Sequence, residues 1–86
     1  MPTKPVNTKG NFFEATLFLK QRIQYDANGN AIYLGYAAPG SSENSLVWMI
    51  VKNTYDASNY MTASNFAGGE PTFERSWSLR TSYVYS

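Results

Sequence analysis

An all-β fold is predicted for this chain: a small antiparallel sandwich or barrel of five or six strands, built from two hairpins and a long C-terminal strand. β-Branched and aromatic residues cluster in short runs, and no long stretch has the apolar spacing of a helix. An Asn-Gly pair separates two of these runs, and a related stretch returns thirty residues later. The 86 residues have room for one domain.

Residues 1–13 are predicted to form an extended N-terminal arm, followed by a single β domain over residues 14–86. Pro2, Pro5 and Gly10 disfavour helix and central-strand pairing in the arm, whose first eleven residues carry little to bury. Ordering such a segment costs more backbone entropy than a small isolated core can offset. We therefore expect most contacts of residues 1–11 to be with another subunit.

The strand-like runs are residues 14–25, 31–37, 45–55, 60–67 and 72–85. In the first run Leu19 and Ile23 share one parity, and Lys20 and Arg22 share the other. The third run contains LVWMIV, which predicts burial on both faces and a central position. The last run alternates apolar and polar residues, which predicts one packed and one wet face, with a break near Ser78.

The stretch DANGN, residues 26–30, is predicted to be a tight hairpin turn. Asn28 and Gly29 both tolerate a positive φ, and the Asp26 carboxylate can accept bonds from backbone amides two residues on. Residues 56–59, DASN, offer a poorer version of this chemistry. An offset of thirty aligns the two stretches, together with Ala37 and Ala67, so that one hairpin design is used twice.

Composition excludes several classes of function. The chain has no cysteine and no histidine, which removes disulfides, thiolate metal sites and the commonest general base. The seven basic residues are scattered and the net charge is +1, so a nucleic-acid-binding barrel suits the fold but not the charge. The longest apolar run is too short to span a membrane. No signal-peptide core precedes the domain, which favours assembly in the cytoplasm.

No catalytic or cofactor-binding residue is predicted. Asp26, Asn28 and Asn30 alternate as at the start of a calcium-binding EF-hand loop, but Ala37 stands where the loop needs Glu, so a turn is the better interpretation. The six carboxylates show no pairing typical of glycosidases. A conventional triad cannot be built without histidine. We therefore expect a protein that is not an enzyme and that uses no metal and no cofactor.

The chain has few charges, 15%, and many aromatic residues, 16%, a combination typical of a surface that a partner covers. Trp48 and Trp77 lie inside strand runs and are predicted to anchor the core. Arg75, which shares the parity of the apolar residues, is predicted to be half-buried beside a carboxylate or an aromatic ring. The candidate interface residues are Tyr33, Tyr36, Tyr60, Tyr83, Tyr85, Phe12 and Phe13.

Residues 20–86 resemble a family of small structural proteins of tailed bacteriophages. The resemblance rests on IQYDANGNAIYLGYAAPGSS, VWMIVKNTYD and FERSWSLRTSYVYS, which match the pattern YDxxGNxIYxGYAxPG, WxIxK and WxxRxxYxY. Asn59-Tyr60 departs from the Gly-Asn expected at the second turn. The resemblance implies a virion component that assembles in the host cytoplasm with other virion proteins or in repeated copies, in the capsid decoration, the neck or the tail. A glycan-binding domain at a fibre or tail tip is the alternative.

Overall fold

A computed structural model describes residues 19–86, and these residues are mostly β. Four antiparallel strands form one sheet in the order of the chain: β1 (Lys20–Tyr25), β2 (Ala31–Ala37), β3 (Met49–Tyr55) and β4 (Met61–Phe66). A short 3-10 helix, Trp77–Ser82, follows. The predicted antiparallel β fold is confirmed at this level. The predicted arm, with Phe12 and Phe13, lies outside the described residues, as do residues 14–18 of the first predicted strand.

Strand positions follow the sequence pattern closely in the two hairpins. β2 covers the predicted residues 31–37, and β3 and β4 lie within the predicted runs. β3 pairs with β2 on one side and with β4 on the other, so the LVWMIV run feeds a central strand. Its residues alternate between one side of the sheet and the other, which explains why both parities of this run are apolar.

The predicted strand over residues 72–85 is wrong. Backbone amides of this segment do not form a ladder with a neighbouring strand. The Ser76 amide donates to Tyr83 Oη at 2.8 Å, and the Ser78 amide donates to the Glu43 carbonyl oxygen at 3.0 Å. Isolated bridges, Trp48 to Arg75 and Ala67 to Tyr85, attach the segment to the sheet. Alternating polarity therefore reflects a segment packed on a sheet, not a strand within one.

This C-terminal segment covers one side of the sheet, which we call the covered face and which carries Tyr33, Gly35, Ala37 and Ile50. The buried hydrophobic cluster consists of Tyr33, Ala37, Trp48, Ile50, Ala67 and Trp77. The indole rings of Trp48 and Trp77 lie 6.0 Å apart, and the rings of Tyr33 and Tyr85 lie 5.8 Å apart. Aromatic pairs at these separations add to the hydrophobic gain from burial.

Gly35 lies at the centre of the covered face, directly under the indole of Trp77. A Cβ at Gly35 would stand 2.5 Å from Trp77 Cε3 and 3.1 Å from Trp48 Cε3. A glycine in the middle of a strand weakens it, but here it permits the close approach of an aromatic ring. The contact of Trp77 with the backbone of β2 therefore requires the missing side chain.

We predict that Gly35→Ala destabilises the protein by about 2 kcal/mol, because the added methyl group forces the indole of Trp77 out of its site. Chemical denaturation followed by tryptophan fluorescence measures the change. Gly40→Ala is the matched control: a Cβ there meets open space and only the positive φ of 84° is strained. A loss at Gly35 that is no larger than the loss at Gly40 would contradict the packing argument.

Candidate functional site

The first turn, between β1 and β2, is closed by the side chain of Asp26. Asp26 Oδ1 accepts the amides of Asn28 at 2.8 Å and Asn30 at 2.9 Å, and the Gly29 amide donates to the Asp26 carbonyl oxygen at 3.1 Å. Gly29 has a φ of 83°. Asn28 is not among the residues with positive φ, so the expectation of a left-handed conformation at both positions is wrong for Asn28. A type I turn followed by one left-handed residue needs a positive φ only at the last position.

The second turn, between β3 and β4, repeats the backbone hydrogen bonds of the first. Asp56 Oδ1 accepts the amides of Ser58 at 2.9 Å and Tyr60 at 3.0 Å, and the Asn59 amide donates to the Asp56 carbonyl oxygen at 3.0 Å. Asn59 takes the left-handed conformation with a φ of 68°. Asparagine tolerates this region better than other non-glycine residues, so the second turn closes as tightly as the first despite its less favourable sequence.

The two turns lie side by side at one end of the sheet, where Asn30 Nδ2 donates to Asn59 Oδ1 at 3.0 Å. Hydrogen bonds from Asn30, Asn28 and Gly29 lower the pKa of Asp26 below its ordinary value. The carboxylate is thus occupied by the amides of its own turn. Residues 19–86 contain no group of three or more acidic, histidine or cysteine side chains placed to share a metal ion.

The five tyrosines of the predicted interface do not form one surface. Tyr33 is buried in the core and Tyr85 packs against it, where burial raises the pKa of Tyr85 to about 12. Tyr83 packs against the core, and its hydroxyl accepts the Ser76 amide. Tyr36 is half-buried on the other side of the sheet, and Tyr60 is exposed beside the second turn. Phe12 and Phe13 are outside the described residues.

The two tryptophans predicted as anchors and the arginines near them lie in or against the core. Trp48 is fully buried and its indole Nε1 donates to the Ser42 carbonyl oxygen at 2.9 Å. The Arg80 guanidinium stacks 4.6 Å from the ring of Trp77 and donates to Gln24 Oε1 at 2.7 Å. Arg75 is half-buried, 5.7 Å from the ring of Tyr83. Arg80 therefore links the C-terminal segment to β1, whereas the contact of Arg75 with Tyr83 lies within the segment.

Three cations occupy the strands, and all three lie on the covered face. Lys20 pairs across the sheet with Ala37, Arg22 with Gly35, and Lys52 with Tyr33. The Arg22 guanidinium donates to Glu43 Oε2 at 2.6 Å and lowers the pKa of that carboxyl. Lys20 Nζ donates to the Ser41 carbonyl oxygen at 2.8 Å. These contacts tie the 41–47 loop to β1 at the rim of the covered face.

The opposite side of the sheet, which the C-terminal segment leaves uncovered and which we call the open face, carries an apolar row across all four strands. Ile23 pairs with Leu34, Leu34 with Val51, and Val51 with Phe66, so the four residues stand side by side. None of them belongs to the buried core cluster, and Ile23 is 38% exposed. A second row, Gln21, Tyr36 and Met49, lies next to it.

Two apolar grooves lie on and beside the open face and meet at Leu19. One, of about 420 Å³, is lined by Leu19, Tyr36, Met49, Val51 and Phe66. The other, of about 370 Å³, is lined by Leu19, Ala38, Ser41, Val47 and Phe73. Neither groove is lined by a titratable side chain other than a tyrosine. The arrangement is suited to binding an apolar surface.

No site is predicted at this row from the sequence alone. The signal was present: residues 46–51 are apolar at both parities, and apolar residues occupy alternate positions of β2 (Ile32, Leu34, Tyr36) and of β3 (Met49, Val51). A second apolar parity in a four-stranded sheet requires a second covering layer. The C-terminal segment, predicted as a strand of the sandwich, packs on the covered face instead.

Comparison with protein-family models, with curated proteins and with solved structures finds no match to this chain. Within residues 19–86 no helix has the length and apolar composition needed to cross a membrane.

Gly29→Ala is predicted to destabilise the protein by about 1 kcal/mol, because alanine is strained at a positive φ. Asn28→Ala should cost much less, since its φ is not positive and the amide that bonds Asp26 Oδ1 belongs to the backbone. Thermal unfolding of the two single variants measures the difference. Equal losses at the two positions would contradict the observed turn geometry.

Stability should fall in acid as Asp26 and Glu43 become protonated. Both pKa values are lowered in the folded protein from ordinary values of 3.8 and 4.5. The stabilising contribution is therefore complete above these values and is lost as the pH falls through the lower, folded pKa values. Denaturant unfolding between about pH 6 and about pH 2 measures this acid limb. The loss of unfolding free energy on acidification should be smaller in the double variant Asp26→Asn, Glu43→Gln. An unchanged loss would contradict its attribution to these two carboxylates.

Proposed function

We propose that this chain is a non-enzymatic structural subunit of a tailed-phage virion, placed in the capsid decoration, the neck or the tail, where it binds protein through its open face. The observation that carries the proposal is the uncharged apolar row Ile23, Leu34, Val51 and Phe66. The proposal of a tailed-phage virion as the assembly rests on the resemblance of residues 20–86 to small virion proteins. Assembly in the host cytoplasm follows from the same proposal.

The open face is large enough to contribute usefully to docking. Strands about 20 Å long at spacings of about 4.8 Å give the four-stranded face a footprint of roughly 400 Å². Apolar patches of this size on a soluble protein are often functional. Roughly 10 kcal/mol is the upper limit for burying a footprint of this size before the costs of association, because Gln21, Asn53 and Ser64 also lie on the face.

A partner layer on the open face would complete the β-sandwich that the sequence predicts. Sheets stack about 10 Å apart, with the side chains of the two inner faces interdigitated. In this arrangement the C-terminal segment covers one face from within the chain and the partner covers the other. The N-terminal arm, whose residues are not described, is proposed to provide a second attachment to a neighbouring subunit.

The placement of the acidic residues supports a role without catalysis. Asp26 and Asp56 accept amides of their own turns, and Glu43 pairs with Arg22. Glycosidase chemistry needs two carboxylates facing each other across a cleft. The apolar grooves beside Leu19 are lined by no carboxylate. Binding is therefore the function that the site supports best.

A glycan-binding platform would need exposed tyrosines clustered in a groove. Tyr25 and Tyr60 are the most exposed tyrosines of residues 19–86, at 57% and 71%. Tyr25 is the last residue of β1 and Tyr60 precedes β4, so the two central strands lie between them. Their separation favours the protein-binding proposal over the glycan alternative.

Particles of the phage that encodes this chain, purified through a density gradient, should contain the protein at a fixed copy number measured by quantitative mass spectrometry. Val51→Lys should reduce its incorporation by about tenfold or more, because docking would bury an unpaired charge. The control is Ala63→Lys, which places the same charge at an exposed position of β4 on the covered-face side of the sheet. This variant should be incorporated normally.

Circular dichroism of the purified variants verifies that both remain folded. Absence of the wild-type protein from purified particles would overturn the proposed function. Equal incorporation of Val51→Lys and wild type would show that the open face is not the docking surface.

A further inference from the structure

The open face is apolar across all four strands, and we propose that its partner is the open face of a second copy of this chain. The two sheets would stack face to face about a two-fold axis. The inference rests on the docking role proposed for this face and adds the identity of the partner. Its support comes from the charge, the geometry and the area of the face.

Charge selects among partners. No strand position on the open face carries a charge, since Lys20, Arg22 and Lys52 all lie on the covered face. A partner surface with charged side chains would bury them against this face without a counter-charge, which is costly. A second open face brings no charge into the contact. The face is therefore complementary to itself.

Geometry allows the two rows to meet. Leu34 and Val51 belong to the central strands, and Ile23 and Phe66 belong to the outer strands, so the row spans the full width of the sheet. In a two-fold interface the same patch is used by both subunits. Two such sheets stacked with their strands about 30° apart bring each central pair over its counterpart.

The groove beside the row provides space for the side chains of the second copy. Its volume is about 420 Å³, and its lining includes Tyr36, Met49 and Phe66. Methionine and aromatic side chains adapt to a facing apolar surface and are enriched in interface cores. Interdigitation of these residues from the two copies would fill a groove that a flat surface would leave open.

Area sets the strength of the expected dimer. A footprint of roughly 400 Å² per copy places the contact at the low end of specific interfaces, below about 1,200 Å² in total. Interfaces of this size are weak and reversible. The dimer should therefore dissociate on dilution, and a symmetric particle that presents many copies would favour it through high local concentration.

Sedimentation equilibrium of the full-length chain tests the proposal between about 1 µM and about 1 mM. The mass should rise from monomer to dimer and stop there, because a two-fold contact closes on itself. Ile23→Lys should raise the dimer dissociation constant by at least about tenfold, and the control Ala63→Lys should leave it unchanged. A monomer over the whole range, growth beyond the dimer, or a dimer insensitive to Ile23→Lys would overturn the proposal.

A thiol probe locates the contact independently, because the chain has no cysteine of its own. Val51→Cys introduces a small apolar side chain at the centre of the row, and Ala63→Cys introduces one on the opposite side of β4. Maleimide labelling of Val51→Cys should slow by at least about tenfold from dilute to concentrated protein, whereas labelling of Ala63→Cys should not change.

Protection of the Val51→Cys thiol in the dilute monomer would mean that the face is covered within one chain and would overturn the proposal. The particle experiment separates this inference from the proposed function. If the protein is present in particles but monomeric in solution, only the dimer proposal is contradicted. If it dimerises in solution but is absent from particles, only the virion role is contradicted.

Discussion

The contact between the indole of Trp77 and the backbone of Gly35 is the constraint on which the rest of the structure depends. The ring lies where any side chain at Gly35 would stand, at 2.5 Å from a Cβ built there. This contact brings Trp77 against Trp48 and places the C-terminal segment on one side of the sheet. The C-terminal segment covers one face of the sheet, and the other face is the surface that we propose a partner covers.

Polar contacts then determine how the segment lies on the sheet. The Glu43 carbonyl oxygen accepts from Ser76 Oγ and the Ser78 amide, and Arg80 bridges Gln24 and the indole of Trp77. Both side chains of the Arg22–Glu43 ion pair are exposed to solvent, so the pair contributes little to the free energy of unfolding. The rings of Trp77 and Tyr85 pack the segment against the sheet, and these bonds determine its register.

The separation of charge from apolar surface links this fold to the proposed function. Cations on the strands lie on the covered face, where Ser41, Glu43 and the ring of Tyr33 provide their partners. The open face retains only uncharged strand residues, led by Ile23, Leu34, Val51 and Phe66. A surface without charge is poorly solvated and is stabilised by contact with another apolar surface.

The sequence by itself determined the local elements, because their causes are local: turn chemistry at Asp26 and Asp56, and apolar runs that form β2 and β3. Only the tertiary structure decided which tyrosines are buried and which face stays open. Tyr33 is buried and Tyr85 packs against it because residues 77–82 form a 3-10 helix that carries the end of the chain back over β2. Alternating polarity cannot distinguish that path from a fifth strand, since both bury every second residue.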